Sequence, residues 1–111
     1  FFVNFAGLNV RSAEDIARIR QAVEASLKAV GHKVNAIVNY DRFTILPELV
    51  DDYIAMVKGV VERHYHDVTR YTSNTFLRVK LGGALEKRHL APRLYGSASE
   101  AEASLPAADG N

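Results

Sequence analysis

The side chains that could carry chemistry in this 111-residue chain are concentrated in three short segments. The densest is His64-Tyr65-His66-Asp67, because two imidazoles and a carboxylate are donor types that bind divalent metals. Residues two apart on a helix point about 200° away from each other, so His64 and His66 converge only where a helix has already ended. Histidines at a helix C-terminus also interact favourably with the helix dipole. We therefore predict no metal site.

Three carboxylates, Asp41, Asp51 and Asp52, lie near the end of a predicted strand. Paired carboxylates can serve as a general acid and a general base. Asp51 and Asp52, however, fall in the first turn of a predicted helix, where the helix dipole stabilises negative charge. Asp41 suits a turn. We interpret all three as structural and assign no catalytic residue in the chain.

The third feature is an excess of positive charge between Thr69 and Gly96, where six basic residues stand against the single acid Glu86. The turn at residues 72–75 adds free N–H groups and hydroxyls at a predicted helix start, which can receive a phosphate or a carboxylate. The candidate ligand-binding residues are therefore Arg70, Ser73 and Arg78. The alternative interpretation is a solvated face or a docking surface for an acidic partner.

The composition excludes several functional classes. The chain has no Cys, so it has no disulfide, no thiolate nucleophile and no Cys-rich zinc site, which favours a cytoplasmic location. A net charge of +1 lacks the basic excess of a dedicated nucleic-acid binder. No apolar run approaches the roughly 18 to 20 residues that span a bilayer. We predict neither nucleic acid nor membrane as a partner.

Hydrophobic periodicity and capping residues predict the elements that position these side chains. Strands are predicted at 1–5, 34–40, 68–72 and 92–95, and helices between Ser12 and Gly31, from 47 to about 66, from 73–75 to about 85, and from 97 to 105. The order is β-α-β-α-β-α-β-α. Short connections favour right-handed crossovers, so we predict an α/β domain over 1–105 with a four- or five-stranded, mostly parallel sheet and helices packed on it. Residues 106–111 are predicted to be a frayed tail.

Three stretches carry a resemblance to a known family: FVNFAGLNVRSAEDI at 2–16, AIVNYD at 36–41, and VTRYTS with FLRVKLG at 68–82. Over nearly its whole length the chain resembles the C-terminal extension of long bacterial acyl-CoA:acetate/3-ketoacid CoA-transferases, which are relatives of propionate CoA-transferase. Its order of elements resembles the STAS fold of anti-sigma-factor antagonists in the SpoIIAA-like variant. The resemblance implies that the chain is part of a longer transferase, and a first residue of Phe1 in place of Met agrees with this expectation.

The catalytic residue of that family does not carry over to this chain. The resemblance implies a nucleophilic Glu, followed at the second position by Gly, that forms a glutamyl-CoA thioester. None of the glutamates in this sequence has Gly at that spacing. We therefore expect the nucleophile to lie outside this chain.

Three functional hypotheses remain open at this stage. The first is a non-catalytic accessory domain, with a docking, regulatory or stabilising role, of an enzyme that transfers CoA between an acyl-CoA and a carboxylic acid. Its partner is the catalytic domain of the same parent chain, a homo-oligomer is also open, and CoA thioesters are substrates of the parent, with no cofactor in this chain. The second is a small-ligand module in which Arg70, Ser73 and Arg78 hold an anionic CoA-type or acyl ligand. The third is a self-contained enzyme.

Overall fold

The structure is a computed structural model that describes residues 1–104, so the predicted tail at 106–111 lies outside the described residues. The elements in chain order are β1 (Phe2–Asn4), β2 (Asn9–Val10), α1 (Ala13–Val30), β3 (Val34–Asn39), β4 (Thr44–Ile45), a 3₁₀ turn (Pro47–Leu49), α2 (Val50–His64), β5 (Tyr65–Tyr71), α3 (Thr75–Lys87), β6 (Leu94–Tyr95) and α4 (Ala98–Ala103).

Four of the strands form one sheet in the order β1-β3-β5-β6, and every neighbouring pair in it is parallel. The predicted α/β class with a mostly parallel sheet and helices is therefore confirmed, and the sheet has four strands. β2 and β4 form a separate parallel pair, which the sequence pattern did not predict. Each has two residues, which is too short for an alternating pattern to be recognised. Because of this pair, the element order is not a simple alternation of strands and helices.

Local signals account for the ends of α1. The Ser12 hydroxyl accepts a hydrogen bond from the Asp15 amide at 3.2 Å, and the Asp15 carboxylate accepts one from the Arg11 amide at 2.9 Å. At the other end Gly31 has a φ of 81°, a left-handed conformation that is costly for residues with a Cβ. This helix has 18 residues and is the longest of those described. No helix within residues 1–104 is long and apolar enough to cross a lipid bilayer.

The junction between α2 and β5 differs from the predicted one. The helix ends at His64 and the strand begins at the next residue, Tyr65, whereas the helix was expected to continue to about 66. Tyr65 already has extended backbone angles and a buried side chain. Burying this aromatic ring against the sheet favours the strand conformation over another helical turn.

All three helices that connect strands of the main sheet lie on one face of it. The strands are added in one direction across the sheet, and right-handed crossovers then place every connecting helix on the same side. This inner face carries Val3, Val38, Val68 and Arg70, against which α1 and α2 pack. Gly82 in α3 lies next to Leu94 of β6 and Pro92. The main hydrophobic core lies between these helices and the sheet.

The outer face of the sheet is covered unevenly. Helix α4 contacts β5 and β6, and in that half Thr69 is only 1% exposed. In the other half the side chain of Phe2 is 58% exposed, and Ile37, its register neighbour on β3, is half-buried. No element within residues 1–104 covers this half. We call it the sheet slot and define it by its five residues: Phe2, Asn4, Asn35, Ile37 and Asn39.

Candidate functional site

Arg70, the first of the three predicted ligand-binding residues, is held inside the protein. It alternates with Val68 along β5, so its side chain points to the inner face and is only 2% exposed. Its Nη1 donates hydrogen bonds to the carbonyl oxygens of Pro92 at 3.0 Å and Ala91 at 3.3 Å. Arg70 therefore anchors the loop that leads into β6.

Ser73 lies in an exposed turn between β5 and α3, and its amide already donates a hydrogen bond within the chain. The Ser73 N–H donates to the Asp41 carboxylate at 2.7 Å. Asp41 is positioned in turn by its own amide, which donates to the side-chain oxygen of Asn39 at 2.9 Å. Hydrogen bonds to a charged acceptor are roughly twice as strong as neutral ones. The chain's own carboxylate thus occupies the position where an external anion was expected.

Arg78 lies near the start of α3, and its guanidinium reaches back to the turn that contains Ser73. Its Nη1 donates to the Thr72 carbonyl at 2.8 Å, and its Nη2 donates to the Thr75 hydroxyl at 3.2 Å. The helix start is capped by Asn74, whose side-chain oxygen accepts a hydrogen bond from the Leu77 amide. Ser73 and Arg78 therefore share one turn, whereas the hydrogen bonds of Arg70 go to a different loop.

Two buried tyrosines, which the sequence pattern did not single out, face a small apolar cavity between the inner sheet face and α1 and α2. The cavity has a volume of about 30 Å³, and Arg70 lines part of its wall. The hydroxyls of Tyr40 and Tyr53 are hydrogen-bonded to each other at 2.7 Å. Burial raises the pKa of Tyr40, raises the pKa of Tyr53 well above its usual value, and raises the pKa of Tyr65 to about 12. All three phenols are neutral at physiological pH.

The residues weighed as metal ligands are spread over different surroundings. His64 ends α2 and lies 3.7 Å from the Glu24 carboxylate, which Arg63 also contacts. His66 is exposed on β5, and the Asp67 carboxylate is paired with Arg93 at 3.1 Å. No group of three His, Cys, Asp or Glu side chains that could hold a metal ion occurs in the described part of the chain. The expectation of no metal site stays a prediction.

Helix α3 presents an exposed apolar surface on the side away from the core. Phe76 and Val79 are 75% and 72% exposed, although they are large and apolar. The ammonium of Lys80 lies 5.8 Å from the centre of the Phe76 ring, a distance typical of a cation–π contact. With the exposed Gly83 and Lys87 further along the helix, these residues form what we call the α3 face.

Comparisons of the chain with protein-family models, with curated proteins and with solved structures yield no match.

Proposed function

We propose that this chain is a non-catalytic accessory domain of an acyl-CoA transferase, with a docking or stabilising role. The observation that supports the proposal is the hydrogen bonding of the three polar groups that were expected to bind an external anion. The guanidinium of Arg70, the amide of Ser73 and the guanidinium of Arg78 all bind oxygens of the chain itself. Groups that are hydrogen-bonded in this way hold loops and helix ends in place. Their role is therefore structural.

A docking role is further supported by two surfaces on which apolar side chains remain exposed. The α3 face and the sheet slot each present large apolar side chains to solvent, with Phe76 and Phe2 at their centres. Burying apolar surface is the main favourable contribution to most protein–protein association. In the parent chain we take the catalytic domain of the same chain as the partner.

The test compares the full parent transferase with a version that lacks this segment. We expect the shortened enzyme to keep the chemical step of CoA transfer, because the nucleophile lies elsewhere, and to lose thermal stability or assembly state. Unchanged stability, assembly and kinetics would contradict the accessory role. CoA transfer by the isolated 111-residue chain would contradict the non-catalytic part of the proposal.

A second candidate function is a module that binds a small acyl or CoA-type ligand through Arg70, Ser73 and Arg78. The apolar cavity has Arg70 in its wall, but its volume of about 30 Å³ is close to that of one water molecule and neither Ser73 nor Arg78 lines it, so a ligand would have to open the site. Calorimetric titration of the chain with CoA and with short acyl-CoAs decides between the two candidates. Heat of binding that disappears in an Arg70→Met variant shown by circular dichroism to be folded supports the module, and no heat at millimolar ligand rejects it.

A further inference from the structure

The sheet slot lacks a layer that parallel sheets normally have. Sheets made only of parallel strands are almost always covered by helices on both faces. Here α4 covers the outer face over β5 and β6, whereas β1 and β3 remain uncovered by residues 1–104. Two neighbouring strands are about 10 Å wide, which is the diameter of one helix with its side chains. The slot therefore has the width of a single helix lying beside α4.

The α3 face has the properties of a helix that fits such a slot. Phe76 and Val79 are one turn apart and point away from the core, so they can pack together on the apolar pair formed by Phe2 and Ile37. Gly83 lies one further turn along, with open space where a side chain would be. A helix can approach a sheet closely at such a position.

The charges around the two surfaces also match. Lys80 and Lys87 lie seven residues apart on α3, about 10 Å along the helix axis. On the side of the slot towards α4, Asp67 of β5 is in register with Asn35 of β3, and its carboxylate forms an ion pair with Arg93 at 3.1 Å. Glu102 on α4 makes no ion pair within residues 1–104.

Glu102 belongs to α4, the helix that contacts β5 and β6 on the outer face. Burial is the largest cause that raises the pKa of Tyr71, and the negative charges of Asp41 and Glu102 raise it further. Tyr71 is the register neighbour of Asn39 in the slot. Asp67 and Tyr71 are four strand residues apart, about 13 Å, which is comparable to the spacing of the two lysines.

We infer that the sheet slot binds the α3 face of a second copy of this chain. Pairing two α3 faces instead would bring Lys80 and Lys87 against their own counterparts, which like charges oppose. The slot is on the outer face and α3 is on the inner side of the sheet, so two copies cannot exchange both contacts at once. Association is therefore head-to-tail, and each added copy covers the sheet of the one before it.

This inference deepens the proposed function and rests on it in one respect. If the parent is a transferase, the accessory domain would join its subunits. In the isolated chain it stands by itself. Failure of self-association leaves the deletion experiment on the parent unaffected, and an unchanged parent after deletion leaves the measured self-association of the chain unaffected. The two experiments therefore test the inference and the proposed function independently.

The test uses the full chain and analytical ultracentrifugation over a range of concentrations up to millimolar. We expect wild-type protein to form species larger than a dimer as the concentration rises. Phe76→Asp, which removes the apolar centre of the α3 face, and Phe2→Lys, which places a repelling charge in the slot, should each weaken association by about tenfold or more. Val30→Lys, at an exposed apolar residue outside both surfaces, serves as the matched control and should associate like wild type.

Mixing the two variants gives the sharpest result. Phe2→Lys retains an intact α3 face and Phe76→Asp retains an intact slot, so an equimolar mixture can form one good contact only. We expect the mixture to form a heterodimer that does not grow further. Circular dichroism and melting temperature of each variant, measured alone, check that it folds.

Two outcomes would overturn the inference. The first is a wild-type chain that stays monomeric at millimolar concentration. The second is a mixture of the two variants that shows no more association than each variant alone.

Discussion

At the scale of single residues, Arg70 shows how position on a strand decides what a charged side chain does. In the sequence it is one of six basic residues in a segment with one acid, which favours an external anion. In the structure it alternates with Val68 and points to the inner face, where backbone carbonyls accept its hydrogen bonds. A buried cation is costly unless its donors are satisfied, so its contacts to the loop at 91–92 are structural requirements.

This arrangement predicts that Arg70→Lys destabilises the protein. Lysine has one compact ammonium group and cannot reproduce the planar guanidinium that reaches two adjacent carbonyl oxygens. We expect the free energy of unfolding to fall by about 1–3 kcal/mol, measured by urea denaturation. Arg18→Lys, at a side chain that is 70% exposed, is the matched control and should change it by less than about 0.5 kcal/mol. Equal stability of Arg70→Lys and wild type would refute the structural role.

At the scale of elements, the turn between β5 and α3 is held from several sides. Asp41 accepts a hydrogen bond from Ser73, Arg78 donates to Thr72, and Asn74 caps the helix. The sequence pattern predicted a turn at residues 72–75 and a helix that starts at 73–75. It did not indicate that Asp41, 32 positions earlier, would supply the anion that the turn binds.

The cap can be tested by changing Asn74. In Asn74→Ala the Leu77 amide loses its side-chain acceptor, so we expect the free energy of unfolding to fall by about 1 kcal/mol. Faster hydrogen exchange of the Leu77 amide should accompany the loss. Asn74→Asp keeps an oxygen at the same position and should retain most of the stability. An alanine variant as stable and as protected as wild type would show that the cap is not needed.

At the scale of the whole molecule, three buried phenols connect the sheet to α2. Tyr40 on the inner side, Tyr53 in α2 and Tyr65 at the start of β5 all have a raised pKa, with burial as the largest cause. The folded protein therefore binds these protons more tightly than the unfolded chain, in which a tyrosine has a pKa of 10.0. Their contribution to stability is fully present below pH 10.

We therefore predict alkaline unfolding. As the pH rises above 10, the unfolded chain loses the phenol protons first, and stability falls until the folded-state pKa is reached, at about 12 for Tyr65. Denaturation midpoints measured at a series of pH values should decline through this window. Tyr65→Phe should make the decline shallower, whereas Tyr95→Phe, at a half-exposed position on β6, should follow wild type. A flat profile from neutral pH to 12 would contradict the prediction.

Much of the fold could be predicted because its signals are local. Ser12 and Gly31 mark the ends of α1 through hydrogen bonds and backbone angles that involve only nearby residues. Ser97 marks the start of α4 in the same way, since its hydroxyl accepts a hydrogen bond from the Glu100 amide at 3.2 Å. The pair formed by β2 and β4 was missed because its strands are short and 35 residues apart. Its stability comes from long-range pairing, which a window of sequence does not contain.

The sequence by itself determined the α/β class, the parallel character of the sheet and the presence of a basic segment, since these follow from periodicity, connection length and composition. Only the tertiary structure decided the strand order β1-β3-β5-β6. That order places all three connecting helices on one face, so Arg70 is buried beneath them while Phe2 and Ile37 remain accessible on the other. The physical reason is that strand order depends on which distant segments pair and bury their surfaces together, and no local pattern specifies that choice.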